Sequence, residues 1–140
     1  MKKEGNFVLD CSVTMSWCFP EEATKQTIAI RNSLACSIAY VPSIWPLEVN
    51  NILWLALKKQ RISEMQTARF KYLLKSLPIQ IDLKASDLYN EVIFDLSKRY
   101  QLTSYDAAYL ELALREQLPL ATLDKDLMKA AHSAKIHVLI

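Results

Sequence analysis

The chain has 140 residues, 51% of them hydrophobic and 23% charged, proportions of a globular protein long enough to bury a core without staples. Its one glycine, Gly5, excludes the glycine-rich loops that cradle phosphates or dinucleotides. A net charge of +2 does not by itself argue for a polyanion partner, and no apolar run approaches the ~20 residues of a membrane span.

The first predicted element is a strand over 6–10, where Phe7, Val8 and Leu9 form the unbroken apolar run of a strand buried on both faces. A helical pattern follows over 21–36, with Ile28, Ile30, Leu34 and Ala35 as its apolar side. A short strand, Ala39–Val41, stops at Pro42, and Pro46 suits the first turn of a helix over 46–60. Ser63 and Gln66 have capping-box spacing for a helix over 64–77, which Pro78 ends before a strand at Ile79–Ile81. Helices over 86–100 and 104–117, a strand over 119–123, a helix over 126–133 and a strand over 137–140 complete the chain. Without repeats or linker-like tracts, residues 1–140 are expected to form a single domain.

This alternation predicts an α/β fold, a three-layer sandwich around a mainly parallel central sheet of four to five strands. Ligands of such sheets sit at the carboxyl ends of the strands. Asp10 and Asp124 end the first and fourth strands, so both are expected on that rim, on neighbouring strands. Each also suits a helix N-cap. Glu48 shares a face with Ile52 and Leu55, and Asp106 with Leu110 and Ala113. Each acid thus heads an apolar stripe, although a first-turn acid also meets the positive end of the helix dipole, and Thr103 has capping spacing to Asp106. Four carboxylates gathered at one rim repel one another, and a divalent cation relieves the conflict. Hard oxygen donors suit Mg²⁺, with Mn²⁺ as a substitute.

Several short motifs resemble those of the PIN-domain ribonucleases, and among them the VapC-type toxins. They are Val8-Leu9-Asp10-Cys11-Ser12-Val13 with its continuation Ser16-Trp17-Cys18-Phe19-Pro20-Glu21-Glu22, the segment from Val41-Pro42-Ser43 to Glu48-Val49-Asn50-Asn51-Ile52-Leu53, Leu102-Thr103-Ser104-Tyr105-Asp106-Ala107-Ala108-Tyr109, and Ala121-Thr122-Leu123-Asp124-Lys125-Asp126-Leu127. The resemblance implies a PIN-like fold in which Asp10, Glu48, Asp106 and Asp124 are the metal-binding and catalytic acids. Ser12 and Thr122 would support the site through their hydroxyls, and Asp126 would be a further acid near it. It implies Mg²⁺-dependent hydrolysis of RNA phosphodiester bonds, a homodimer, and a cognate antitoxin as partner.

Cys11, Cys18 and Cys36 match no zinc or CxxC spacing and follow no signal-peptide pattern, so free thiols and a cytoplasmic location away from membranes are expected. Cys11 should turn away from Asp10 along the strand and serve as a small core residue. Trp17, Trp45, Trp54, Tyr105 and Tyr109 read first as packing residues, with Trp45 and Leu47 placed to shape the cleft or meet an antitoxin. Lys58, Lys59, Arg61, Lys71 and Lys75 read as solvated helix charges. His132 and His137 lie beyond the last motif and receive no catalytic role. Two alternatives stand beside the nuclease. One is a non-catalytic PIN-like interaction domain. The other is an α/β phosphotransfer module, for which Ser12 stands where a phosphatase would place a second Asp.

Overall fold

The computed structural model describes residues 4–84 and 87–140. The elements run β1 (Phe7–Leu9), α1 (Cys11–Ser16), a 3-10 turn at Pro20–Glu22, α2 (Lys25–Ser33), β2 (Ala39–Val41), α3 (Trp45–Lys58), α4 (Glu64–Ser76), β3 (Ile79–Ile81), α5 (Asp87–Tyr100), α6 (Ser104–Glu116), β4 (Leu120–Ala121) and α7 (Lys125–Ser133). The start at residue 86 of the helix expected over 86–100 lies outside the described residues.

The four strands are all parallel, in the order β3-β2-β1-β4. Right-handed crossovers then decide the layers. The steps from β1 to β2 and from β2 to β3 run in one direction and put α1 to α4 on one face. The return to β4, on the far side of β1, puts α5 and α6 on the other. The helix contacts follow this division, α1 with α3 and α3 with α4, against α5 with α6 and α6 with α7, β1 and β4. Strand order therefore reverses between β1 and β4, where doubly wound sheets open a crevice. β1 is almost wholly buried, as its apolar run requires, and Leu110, Ala113 and Leu120 share its core.

Four sequence expectations need correction. Residues 11–16 form a helix, so Cys11 opens α1 and does not continue the strand. All but Ser12 of this short helix are buried, which leaves no polar face to signal a helical period. The single helix expected over 21–36 is a 3-10 turn followed by α2, divided by a Thr24–Thr27 capping box. The strand expected over 137–140 is reduced to one bridge between Leu120 and Val138. The core-facing side of α3 is Trp45, Val49, Leu53 and Ala56, so Glu48 lies at its edge and Leu55 is exposed. The Ser63–Gln66 capping box forms as its spacing requires. No helix among the described residues is long and apolar enough to cross a membrane.

Candidate active site

Each of the four sequence-selected acids enters the rim from a different element. Asp10 follows β1 and its backbone N–H donates to Ala121 O at 2.9 Å, which ties it to the end of β4. Asp124 follows β4 and caps α7, accepting the backbone N–H of Leu127 at 2.8 Å on Oδ1. Glu48 lies in the first turn of α3, soon after β2 ends. Asp106 lies in the first turn of α6, which Thr103 caps. The N-terminal placement read from sequence thus holds for all four, and β1 and β4 are neighbours.

Two hydroxyls organise the centre of this rim. Ser12 Oγ and Thr122 Oγ1 both donate to Asp10 Oδ2, at 2.6 and 2.7 Å. The same oxygens accept the backbone N–H groups of Leu123 and Asp124, at 2.9 and 3.0 Å. Ser12 and Thr122 therefore hold the buried Asp10 carboxyl and also fix the β4–α7 turn that presents Asp124.

Charge crowding links the four acids. Asp106 is pushed up to about 6, by burial and then by the charges of Asp124, Asp10 and Glu48, against a small opposing effect of the Thr103 side chain. Burial raises Asp10 also, partly offset by the Ser12 and Thr122 hydroxyls and the Cys11 amide, with Asp124 adding to the rise. Burial raises Glu48, the Tyr109 hydroxyl lowers it, and Asp10 raises it again. No Lys or Arg among the described residues forms an ion pair with any of these four. Nor do any three His, Cys, Asp or Glu side chains among the described residues converge closely enough to coordinate an ion as placed. The donors themselves fit a hard divalent cation, since every one is a carboxylate oxygen.

The remaining sequence candidates separate from this cluster. Asp126 is exposed on the first turn of α7 and is not among the charges that shift Asp10, Glu48 or Asp106. His132 and His137 are exposed. Cys11 is a small core residue whose thiol is pushed up by burial, then by Glu48 and Asp10. Trp45 is buried, its indole N–H donating to Thr14 Oγ1 at 3.0 Å, while Thr14 donates to Asp10 O at 3.2 Å. It braces α3 against α1 and is withdrawn from any partner, whereas Leu47 and Trp54 are exposed.

Tyr109 was read from sequence only as a packing residue. It is fully buried, yet its hydroxyl donates to Glu48 Oε1 at 2.6 Å. The available signal was its position three residues after Asp106, on the same helix face. Thr14 carried no such signal, because the indole it accepts from, Trp45, lies on another element.

The chain matches the PIN domain family model over residues 7–133. It is 32% identical over 103 residues to Ribonuclease VapC1 of Mycobacterium tuberculosis (strain CDC 1551 / Oshkosh), spanning 74% of this chain and 75% of that protein. Ribonuclease VapC1 of Mycobacterium tuberculosis (strain ATCC 25618 / H37Rv) matches with the same figures. Among solved structures, PAE2754 from Pyrobaculum aerophilum has a TM-score of 0.67 at 20% identity, covering 95% of this chain and 82% of that one. FitAB bound to an IR36 DNA fragment has a TM-score of 0.67 at 14% identity, covering 94% and 92%. FitAcB from Neisseria gonorrhoeae has a TM-score of 0.62 at 17% identity, covering 96% of each chain.

Proposed function

The chain belongs to the PIN-domain family, and from that premise we propose that it is a metal-dependent endoribonuclease, the toxin of a toxin–antitoxin pair, acting in the cytoplasm as a single domain. The observation that carries this reading is the group of four carboxylates, from four elements, at the β1–β4 crevice with no Lys or Arg among the described residues paired to any of them.

Asp10, Glu48, Asp106 and Asp124 would hold Mg²⁺, or Mn²⁺ in its place. Such an ion, when bound, supplies polarisation of a phosphoryl oxygen and a water acidified towards neutral pH. The chain's own contribution is orientation. Ser12 and Thr122 hold Asp10 through Oδ2, and the α7 amide of Leu127 holds Asp124 through Oδ1, while Oδ2 of Asp124 has no hydrogen-bond partner among the described residues. Asp106, pushed up to about 6 by burial and by the charges of the other three acids, would share the ion with them. Asp126 serves the first turn of α7, where an acid meets the helix dipole.

The toxin assignment draws on the Ribonuclease VapC1 relatives. Leu47, Trp54, Met65 and Tyr72 on α3 and α4 are exposed, which accords with protein partners, an antitoxin and a second copy of the chain. Three unpaired cysteines accord with a reducing compartment.

The test is RNA cleavage by the wild type and by Asp124→Asn, each titrated with Mg²⁺ or Mn²⁺ and then with a chelator. Asn keeps the N-cap, so the variant retains its fold. Metal-dependent cleavage that the substitution abolishes is the expected result. Equal cleavage by both proteins removes the catalytic assignment, and no cleavage of varied RNAs by either favours the interaction domain.

A further inference from the structure

We propose that Tyr109 is a positioning residue that acts through Glu48 and so couples α6 to α3 across the cleft. The inference rests on the metal-dependent reading above and concerns how its second acid is held.

Tyr109 lies wholly inside the core. A phenylalanine would fill the same space without bringing a polar group into it, and a buried hydroxyl is costly unless it finds a partner. The partner here is a carboxylate, Glu48 Oε1, at 2.6 Å, the charged acceptor that gives the stronger class of hydrogen bond. Glu48 belongs to α3 and Tyr109 to α6, so the bond crosses the layers of the fold. It stands one helical turn beyond Asp106 on the same face of α6. One helix therefore delivers one acid to the cleft and grips another.

The grip has a chemical consequence. Glutamate has a long side chain, and at the edge of α3 nothing else among the described residues hydrogen-bonds its carboxylate. Without the phenol it is free to swing towards solvent. With it, Oε1 is engaged and Oε2 is the oxygen left without a protein partner. Groups that orient a ligand from behind in this way are worth roughly 10–100-fold in metal affinity or activity.

The experiment is calorimetric titration of Mn²⁺ into metal-stripped protein, on a double-mutant cycle of Tyr109→Phe and Glu48→Ala. Tyr109→Phe alone should weaken Mn²⁺ binding about 10-fold and lower kcat for RNA by a similar factor, with KM unchanged. In the Glu48→Ala background the same substitution should change Mn²⁺ affinity less than about 2-fold, because there is no carboxylate left to position. Wild-type affinity in Tyr109→Phe overturns the inference, and so does an equal loss in both backgrounds, which would mark a general packing defect. Should Tyr109→Phe not fold, Glu48→Asp draws the carboxylate back by one methylene without touching the core. It should lose Mn²⁺ affinity to a similar degree, and undiminished affinity overturns the inference. A wild-type chain that binds no Mn²⁺ overturns both this inference and the metal-dependent reading, whereas the outcomes of the Tyr109→Phe cycle bear on Tyr109 alone.

Discussion

Two clusters of carboxylates stand near the same end of the sheet, and only one contains its own counter-charge. Beyond β3, Asp82 and the buried Glu111 converge on Arg115, whose guanidinium donates to Asp82 Oδ2 at 2.6 Å and to Glu111 Oε2 at 2.9 Å and stacks 4.3 Å from the Tyr89 ring centre. At the β1–β4 crevice, Asp10, Glu48, Asp106 and Asp124 have no such partner among the described residues. The difference is visible in their affinity for protons. Burial pushes Asp82 up, but the hydrogen bonds and charge of Arg115 and the Lys84 amide outweigh it and hold the carboxyl below its ordinary range. Asp106, with acids for neighbours, is pushed up to about 6. Equal crowding of negative charge is solved internally in one place and left open in the other, and an open cluster is where an external cation has something to stabilise.

The contrast can be broken most forcefully through activity. Asp106→Asn should lower RNA cleavage by more than about 100-fold, since even residues that merely orient a metal ligand cost 10–100-fold. An Asp106→Asn chain that cleaves within a few-fold of wild type would leave the open cluster without a function. Next in size is Arg115→Met. Removing the guanidinium strands Glu111 in the core, a loss of about 3 kcal/mol in denaturant unfolding, as expected when one partner of a buried pair is deleted.

The same comparison predicts an opposite sign at the crevice. Without metal, Asp106→Asn removes a repelled charge and should stabilise the chain by roughly 1 kcal/mol at pH 7. The pH profile follows. Asp106 sits at about 6 when folded against an ordinary value of 3.8, so between those values the folded chain holds more protons than the unfolded one. Stability of the metal-free protein therefore rises as pH falls from 7 towards 4, and is lost as pH rises through 6. Saturating Mg²⁺ should flatten this slope, and an identical slope with and without metal would separate the acids from the ion. The smallest effect belongs to Arg61, which also faces two acids, Glu21 and Glu22, but in solvent, with its guanidinium over Phe19. Arg61→Ala should leave the unfolding midpoint nearly unchanged, because exposed pairs are screened; a large shift would mean that pairing counts more than burial.

Among these clusters, the open one was the legible one. Its acids sit at strand ends and first helical turns, positions that hydrophobic patterning and capping rules can locate, and the resemblance of short motifs joins them into a set. The Arg115 cluster left a fainter trace: Asp82 follows the strand Ile79–Ile81, and Glu111 and Arg115 have i,i+4 spacing on one helix, but no motif joins the two. Short buried pieces were also hard to read. α1 lacks a polar face, β4 has two residues, and the last strand forms a single bridge.

What the sequence determined alone was the alternation of strands and helices, the buried β1, the Ser63 cap and the place of Asp10, Glu48, Asp106 and Asp124 at helix starts, because these depend on local periodicity and on turn chemistry. Only the tertiary structure decided that Ser12 and Thr122 share one oxygen of Asp10, that Tyr109 reaches Glu48, and that Arg115 answers Asp82 and Glu111. The contacts of Thr122 with Asp10, Tyr109 with Glu48 and Arg115 with Asp82 join side chains on different elements, and their geometry exists only once the crossovers have placed β4 beside β1 and folded α6 onto the sheet.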